Sequence, residues 1–325
     1  MRNNLLRRNV LLDGDRLNAI CIMGPTGTGK SSLALALANT YPVEIVSVDS
    51  IQVYRDLNVG SAKPSRIDKR KIPHHLVDIC ELDEVYSAAR FCADAEKVCA
   101  EIFSRGFVPL FVGGTGLYFR SFLNGLSELP TGSPTLRAQL QSEVNQFGLE
   151  KLHKKLRIVD PLSASRIHPH DKQRIMRALE VPVLSGKTMS SFFEKPLKKN
   201  NIVKPIKFVL VDENRNRLRE RLRTRFLGML KGGLINEVLN LKLLKYLKEP
   251  PSGIKSVGYI EVWRYLENQL KYDEMVSSAL VATWQLAKRQ TTWFKRESRA
   301  IRLKRSDQNT FLDTMKEEIE KANIF

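Results

Sequence analysis

A phosphate-binding loop is the segment of this sequence whose residue types and spacing point most directly to chemistry. It follows the pattern G-x-x-x-x-G-K-S and consists of Gly24, Pro25, Thr26, Gly27, Thr28, Gly29, Lys30 and Ser31. In such a loop, backbone N–H groups converge on phosphate oxygens, and the dipole of the following helix favours negative charge. The lysine reaches the terminal phosphates and the serine hydroxyl ligates Mg²⁺. The loop therefore predicts a phosphorylated ligand held by Lys30, and Mg²⁺ held through Ser31.

The segments that flank this loop favour a functional site over a simple glycine-rich turn. An apolar run over 19–23 predicts a strand, and the run over 32–38 predicts a helix. Two more predicted strands end just before Asp49 and Thr115. Strands separated by helical segments indicate a parallel sheet with helices on both faces. Ligands bind beyond the carboxyl ends of such strands, so we expect the loop, Asp49 and Thr115 to meet in one cleft.

Asp49 is the most informative residue outside the loop, and its type and position leave three roles open. It could ligate Mg²⁺ as in an NTPase, act as a general base on an acceptor nucleophile, or cap the end of its strand. The polar residues that follow it, among them Ser50 and Gln52, suit hydrogen bonding to a nucleobase or a sugar.

A helical insertion is predicted between 126 and 203, where the strand pattern nearly disappears. The core then consists of 1–125 and 204–325. Strands are predicted over 43–48, 75–79, 108–112 and 206–211, and helices over 87–104, 135–147, 149–159, 172–184, 215–230, 234–248 and 273–296. The expected fold class is therefore α/β, with a P-loop NTPase-like parallel sheet core and a helical insertion domain.

The charge of the chain indicates a polyanionic partner. Its 325 residues carry a formal net charge of +18, which is more than a small phosphorylated ligand requires. Lys and Arg side chains near phosphates release condensed counterions, so nucleic acid is the favoured partner. A basic surface that serves only solubility is the alternative.

Several other classes of protein are disfavoured by the composition. No apolar run approaches the roughly 20 residues of a membrane helix, and 1–16 lacks the apolar core of a leader, so we expect a cytoplasmic protein with no membrane partner. The four cysteines form no C-x-x-C pair, and His168 and His170 have no further ligand at zinc spacing.

Motifs along nearly the whole chain resemble those of the tRNA dimethylallyltransferases (tRNA isopentenyltransferases) of the bacterial type. They run in order over 24–31, 49–55, 60–64, 73–76, 86–88, 112–118, 171–174, 258–259 and 286–293. The resemblance implies transfer of a dimethylallyl group from dimethylallyl diphosphate to the exocyclic amine of the adenosine immediately 3′ of the anticodon. It also implies that the loop holds a diphosphate leaving group, and that the insertion clasps the anticodon stem-loop.

The resemblance also assigns roles to single residues. Asp49 is implied to be the general base, Thr26 to contact the diphosphate near the reacting centre, and Arg225 to clamp the diphosphate. Composition and spacing alone do not distinguish Arg225 from Arg219, Arg221 and Arg223. The positions implied to contact tRNA are Asp49, Ser50, Ile51, Gln52, Thr115, Arg137, Gln173, Arg174, Ile175, Met176, Arg177, Lys255, Ser256, Val257, Gly258, Tyr259, Ile260, Lys288, Arg289, Gln290, Thr291, Thr292, Trp293, Phe294 and Lys295.

Some residues depart from the family pattern, and other functions stay open. Ile260 stands where the family usually has Arg or Lys, which puts one tRNA contact in doubt. The alternatives are an ATP-dependent small-molecule kinase, an isopentenyltransferase acting on free adenine nucleotides, and an RNA-binding P-loop protein without turnover. We expect a monomer, because a clasp that closes on one stem-loop needs no second subunit.

Overall fold

A parallel sheet forms the core. The structure, a computed structural model, describes residues 16–194, 202–244, 247, 249–305 and 310–325. Within these ranges six strands pair in the order β3-β2-β4-β1-β5-β6, and every pair is parallel. The strands are β1 (Leu17–Met23), β2 (Val43–Val48), β3 (His74–His75), β4 (Val108–Gly113), β5 (Val203–Val211) and β6 (Ile301–Lys304). This arrangement confirms the predicted fold class.

Thirteen helices are present in the described part of the chain. They are α1 (Lys30–Ala38), α2 (Arg66–Lys71), α3 (Ala88–Ser104), α4 (Gly116–Asn124), α5 (Pro134–Val159), α6 (Pro161–Arg166), α7 (Lys172–Ser185), α8 (Met189–Glu194), α9 (Arg215–Lys231), α10 (Leu234–Leu244), α11 (Tyr259–Leu266), α12 (Tyr272–Lys295) and α13 (Phe311–Lys321). None of these described helices is long and apolar enough to cross a bilayer.

Different helices cover the two faces of the sheet, as the alternation of strand side chains requires. On one face, Ile22 packs in a cluster with Leu37 of α1 and Met315 of α13. On the other, the Phe111 ring lies 4.9 Å from the Phe122 ring of α4, measured between ring centroids. The central strands are buried on both faces, which explains why β4 is a continuous apolar run and why β2 is apolar except at Glu44 and Ser47.

The described residues divide into two compact units. The first comprises parts of 1–123 and 201–325, and the second comprises part of 124–200, close to the predicted insertion at 126–203. Within the second unit, α5 is interrupted at Gly148, which has a φ of 79°. This interruption lies between the two helices predicted over 135–147 and 149–159. Helix α7 begins after Asp171, whose carboxylate accepts a hydrogen bond from Arg174 N, and ends at Gly186 in the left-handed conformation.

The sequence-based assignment of elements was wrong or incomplete in several places. The strand predicted over 75–79 is the two-residue β3. Strand β6 and the helices α2, α4, α6, α8, α11 and α13 were not predicted. The prediction of no leader concerns 1–16, of which 1–15 lie outside the described residues. The helix predicted over 234–248 ends at Leu244 among the described residues, while 245, 246 and 248 lie outside them.

Candidate active site

The phosphate-binding loop connects β1 to α1, as its sequence predicts. Gly29 lies just before α1 with a φ of 92°, a conformation that side chains other than glycine rarely adopt. Lys30 Nζ donates a hydrogen bond to Pro25 O at 2.7 Å, and Thr28 Oγ1 donates to the same carbonyl at 2.8 Å. Ser31 is exposed at the first turn of the helix. The loop is therefore closed on itself around the lysine, with its serine accessible.

The electrostatic environment of the loop is strongly cationic. Burial, together with the positive charge of Arg225, lowers the pKa of Lys30 to about 7, and the Asp49 carboxylate opposes this shift. Burial also lowers the pKa of Arg225, again opposed by Asp49. Asp49, Lys30 and Arg225 thus act on one another across one cleft. Two cations that share a single carboxylate leave positive charge that an anionic ligand would stabilise.

Two further arginines hold the loop from its other side. Arg221 Nε donates to Gly27 O at 3.1 Å, and Arg305 Nη1 donates to Thr28 O at 3.0 Å. Arg221 also forms an ion pair with Asp212. These contacts engage carbonyl oxygens of the loop and so favour the orientation in which its N–H groups remain available to a ligand.

The structure also separates the arginines that the sequence alone could not distinguish. Arg219 stacks over the Trp284 ring with its guanidinium carbon 4.4 Å from the ring centroid. Arg223 and Arg225 are both exposed, but Arg225 also interacts electrostatically with Lys30 and Asp49. Only Arg225 and Arg221 of this set interact with the cleft or the loop. Arg305 was missed because it follows β6, a strand of four residues that sequence patterning did not reveal.

Asp49 has one carboxylate oxygen engaged and one available. Its Oδ1 accepts hydrogen bonds from Ile51 N at 2.8 Å and from Gln52 N at 3.3 Å. No described residue donates to Oδ2. The Thr115 hydroxyl accepts a hydrogen bond from Ser50 N at 3.2 Å, which ties the turn after β4 to the turn after β2. The expected convergence of the loop, Asp49 and Thr115 is therefore present.

Gln290 of α12 joins the loop to the turn after β4. Its Oε1 accepts a hydrogen bond from Thr26 N at 2.9 Å, and its Nε2 donates to Gly114 O at 3.0 Å. Because both polar ends of the side chain bind backbone atoms, Gln290 acts here as a brace within the protein.

The residues after Asp49 and around α11 are mostly engaged in protein contacts. Gln52 Nε2 donates to Ser61 O and Ala62 O, each at 3.2 Å, so its amide fixes the neighbouring loop. Tyr259 is fully buried and donates its hydroxyl hydrogen to Glu237 Oε1 at 2.6 Å. In the predicted segment 255–260, Lys255 is exposed, Gly258 is buried, and Ser256, Val257 and Ile260 are half-buried.

Helix α12 presents a basic face to solvent. Lys288, Thr292 and Lys295 are exposed at a spacing that places them on one side of the helix, and Arg289 is exposed beside them. Thr291 and Trp293 are half-buried, and Trp293 packs so closely on Gly116 that a Cβ there would lie 2.3 Å from its ring.

Within the helical insertion, the predicted arginines are held in ion pairs. Glu180, which is fully buried, pairs with Arg137 and Arg177, and Arg174 Nη1 lies 2.7 Å from Asp171 Oδ2. Burial raises the pKa of Glu180, but hydrogen bonds from the two arginines outweigh it, so that its pKa falls below the usual range. Gln173 is exposed and Met176 is half-buried.

Three of the predicted tRNA contacts require correction. Ile175 and Tyr259 are 0% exposed and Phe294 is 1% exposed. Their side chains are part of the packed interior, so they hold their helices in place and do not face a ligand. The family motifs assigned whole runs of consecutive residues to tRNA binding. In a helix, however, about one residue in every three or four faces the interior of the protein.

Together, these features define the class of protein. A parallel α/β sheet carries a phosphate-binding loop surrounded by Lys30, Arg221, Arg225 and Arg305, with a carboxylate at the adjacent strand end. This is the architecture of P-loop proteins. A family model described as IPP transferase matches residues 52–297, and a second, described as isopentenyl transferase, matches 17–82. The chain belongs to the IPP transferase family.

Individual relatives agree with this assignment. A tRNA dimethylallyltransferase of Halorhodospira halophila is 45% identical over 288 residues, which cover 89% of this chain and 93% of the relative. One from Nitrosospira multiformis is 47% identical over 277 residues, covering 85% and 86% of the two chains.

Solved structures resemble this one over most of its length. The tRNA isopentenylpyrophosphate transferase of Staphylococcus epidermidis superimposes with a TM-score of 0.69 at 31% identity and covers 94% of this chain and 100% of its own. A eukaryotic dimethylallyltransferase acting on tRNA gives a TM-score of 0.77 at 24% identity, covering 94% and 80% of the two chains. The latter likeness bears on the fold alone.

Proposed function

We propose that this chain is a tRNA-prenylating enzyme that transfers a dimethylallyl group from dimethylallyl diphosphate to the exocyclic amine of the adenosine immediately 3′ of the anticodon. Family membership and the names of its relatives support prenyl transfer to tRNA. Within the structure, the observation that carries the proposal is the convergence of the loop with the turns after β2 and β4 through the hydrogen bonds of Thr115 and Gln290. The electrostatic interaction of Asp49 with Lys30 and Arg225 supports it. This arrangement supports the proposal because Asp49, as a proton acceptor, would lie beside a cationic site for the leaving diphosphate.

The loop and its cations hold the diphosphate in this proposal. Backbone N–H groups between Gly27 and Ser31 surround the terminal phosphate, and Lys30 and Arg225 stabilise the charge that develops as the carbon–oxygen bond breaks. The guanidinium of Arg225 can bind two phosphate oxygens at once. Thr26 contributes its hydroxyl near the reacting centre, since Gln290 already engages its backbone N–H.

Mg²⁺ is the cofactor that the site fits. The Ser31 hydroxyl is exposed at the first turn of α1 and is an oxygen ligand, the type that Mg²⁺ combines with substrate phosphates. When bound, the ion neutralises charge on the diphosphate. Among the residues that the structure describes, no group of three or more His, Cys, Asp or Glu side chains could hold a metal ion.

Asp49 acts as the general base. The amine nitrogen of the adenine forms a bond to the first carbon of the dimethylallyl group, the bond from that carbon to the diphosphate oxygen breaks, and the diphosphate leaves. The proton lost by the amine passes to the Asp49 carboxylate, whose Oδ1 is held by two backbone N–H groups while Oδ2 is available. A positioned base contributes about 10²- to 10⁴-fold to the rate.

tRNA contacts are proposed for the exposed members of the predicted set. Lys288, Arg289 and Lys295, with Thr292 between them, form the basic face of α12, and Lys255, Arg137, Gln173 and Arg174 are also exposed. We propose that one copy of the chain binds one tRNA in the cytoplasm, because an anticodon stem-loop presents a single target adenosine.

A substitution of Asp49 tests the base directly. In Asp49→Asn the side chain keeps its shape and its hydrogen bonds from Ile51 N and Gln52 N, but it cannot take up a proton. Single-turnover prenylation should slow by about 10²-fold or more while tRNA binding persists. Asp83→Asn, an exposed carboxylate of the same unit, serves as the control. An unchanged single-turnover rate with weakened tRNA binding would make Asp49 a tRNA contact and not the base.

A further inference from the structure

Two residues on helices α10 and α11 clamp a loop in the first compact unit. The clamp consists of Glu237 of α10 and Tyr259 at the start of α11, and it holds the segment 57–62, which we call the 57–62 loop. Glu237 Oε2 accepts hydrogen bonds from Val59 N at 2.8 Å and from Asn58 N at 3.1 Å. One carboxylate oxygen therefore binds two consecutive N–H groups of the loop.

Tyr259 completes the clamp. Its hydroxyl donates a hydrogen bond to Glu237 Oε1 at 2.6 Å and accepts one from Ser61 N at 3.2 Å. Its ring is fully buried and packs so closely on the loop that a Cβ at Gly60 would lie 2.6 Å from it. Burial and the Glu237 carboxylate both raise the pKa of Tyr259, so that the hydroxyl keeps its proton and remains a donor.

Gln52 connects the 57–62 loop to Asp49. Its side-chain Nε2 donates hydrogen bonds to Ser61 O and Ala62 O, each at 3.2 Å. Its backbone N donates to Asp49 Oδ1 at 3.3 Å. The same residue is thus bound to the loop by its side chain and to the carboxylate by its main chain. A displacement of the loop therefore displaces the carboxylate as well.

The conformation of Ala62 shows that this loop needs an external restraint. Its φ of 48° lies in the left-handed region, which residues with a Cβ rarely adopt. Its carbonyl is one of the two acceptors for the Gln52 amide. A conformation of this kind costs free energy and persists only where the surrounding contacts enforce it. Glu237 and Tyr259 supply such contacts from distant parts of the sequence.

The position of the clamp in the fold also suits a role in the active site. Glu237 lies in the first turn of α10, and α10 begins immediately after the glycine pair that follows α9. Helix α9 carries Arg225, which interacts electrostatically with Asp49. The pair of helices that presents Arg225 to the cleft is therefore the pair that restrains the 57–62 loop.

We propose that Glu237 and Tyr259 are positioning residues for the general base. They fix the 57–62 loop, and the loop fixes the Asp49 carboxylate through Gln52. A base contributes to the rate only when it lies within hydrogen-bond reach of the proton that it takes up. Because two backbone N–H groups hold Oδ1, these bonds determine the direction in which Oδ2 points. The inference rests on the proposed function, because it takes Asp49 as the base of prenyl transfer.

A double-mutant cycle on the full chain tests this role. Tyr259→Phe keeps the buried ring but removes the hydroxyl that contacts Glu237 and Ser61 N. It is combined with Asp49→Asn, and single-turnover prenylation of tRNA is measured at saturating dimethylallyl diphosphate for the wild type, both single variants and the double variant. The KM for the diphosphate and the dissociation constant for tRNA are measured for the same four proteins.

Tyr86→Phe is the matched control. Tyr86 is buried like Tyr259, and its hydroxyl also donates to a carboxylate, Asp94 Oδ2, at 2.9 Å. That bond joins the segment before α3 to α3 itself, so the control removes a contact of the same kind away from the 57–62 loop. Circular dichroism and urea denaturation establish that each variant is folded. If Tyr259→Phe does not fold, Glu237→Gln takes its place in the cycle, because its amide nitrogen cannot accept a hydrogen bond.

A clamp that acts through Asp49 predicts non-additive effects. Tyr259→Phe should lower the single-turnover rate by about tenfold or more, since a displacement of about 1 Å in a reacting group can cost about 10²-fold. The KM for the diphosphate and the dissociation constant for tRNA should change less than about twofold, because ground-state binding is retained. In the Asp49→Asn background the same substitution should change the rate less than about threefold, because the positioned group can no longer take up a proton. Tyr86→Phe should keep the wild-type rate.

Three results would overturn the inference. A loss by the same factor in both backgrounds would show that the clamp acts independently of Asp49. A wild-type single-turnover rate in folded Tyr259→Phe, with or without weaker binding of a substrate, would show that the clamp does not position the base. An equal loss in Tyr86→Phe would reduce the effect to the removal of any buried hydrogen bond.

Failure of the proposed function gives a different pattern of results. If the wild type does not prenylate tRNA, the proposed function fails and this inference fails with it. If Asp49→Asn keeps the wild-type rate, Asp49 is not the base and the clamp has no base to position. If the wild type prenylates tRNA and Asp49→Asn is slow while Tyr259→Phe is unaffected, only the role of the clamp fails.

Discussion

Replacing Gln290 by methionine tests whether this residue braces the diphosphate loop or contacts tRNA. The Met side chain has a similar length but forms neither of the hydrogen bonds that Gln290 makes, to Thr26 N at 2.9 Å and to Gly114 O at 3.0 Å. In Gln290→Met, the loop and the turn that carries Thr115 lose their common connection. The bound diphosphate and the target adenine should then be misaligned.

The size of the effect follows from the two lost contacts. A hydrogen bond contributes about 0.5–1.5 kcal/mol net, so that the pair is worth about 2 kcal/mol. Because about 1.4 kcal/mol corresponds to a factor of ten in rate, kcat/KM for dimethylallyl diphosphate should fall about 30-fold. The dissociation constant for tRNA should change little, because both ends of the Gln290 amide already bind backbone atoms of the protein.

Steady-state kinetics with varied dimethylallyl diphosphate and saturating tRNA, together with a tRNA binding titration, measure both quantities. Gln285→Met is the matched control, since Gln285 is an exposed residue of the same helix. Weaker tRNA binding with an unchanged kcat/KM for the diphosphate would refute the brace and restore Gln290 as a tRNA contact.

Three further predictions follow from the same structure. Arg221→Ala removes a hydrogen bond to Gly27 O and should raise the KM for the diphosphate by about three- to tenfold, read from steady-state kinetics. Gly116→Ala places a Cβ 2.3 Å from the Trp293 ring and should destabilise the protein by about 1–3 kcal/mol, read from chemical denaturation. Glu180→Gln should destabilise the insertion at pH 7 by about 1–3 kcal/mol. The pKa of Glu180 is lower in the folded protein than its value of 4.5 in the unfolded chain. The ionised carboxylate therefore stabilises the fold above pH 4.5, and this contribution is lost as the pH falls through the pKa of the folded state. The free energies of unfolding of the wild type and Glu180→Gln, measured by chemical denaturation, should therefore become more similar below pH 4.5. A difference that does not change with pH would contradict the ion-pair explanation.

Local sequence signals were sufficient for the parts of the site that lie on one continuous segment. The loop at 24–31 has a fixed residue pattern, and Asp49 follows a strand in which four of the six residues are apolar because both of its faces are buried. Gly148 and Gly186 likewise end or interrupt helices by their own backbone conformation. These features depend on chemistry within a few residues, which a sequence displays directly.

Features that depend on tertiary contacts could not be predicted from local sequence. Arg305 reaches Thr28 O across 277 positions of sequence, and Gln290 reaches Thr26 N across 264. Strand β6 has four residues, two of them exposed, and is stabilised mainly by pairing with β5. Neither a distant hydrogen bond nor a short edge strand has a local pattern. The family motifs marked the right segments but could not separate Ile175 and Phe294, which face inward, from their exposed neighbours.

The most direct test of the central claim is the transfer of label from radiolabelled dimethylallyl diphosphate to unmodified tRNA, with ATP and free AMP offered in parallel. The proposed function predicts label on the adenosine beside the anticodon, dependent on Mg²⁺ and greatly reduced in Asp49→Asn. Label on AMP in place of tRNA, or hydrolysis of ATP without any prenyl transfer, would contradict it.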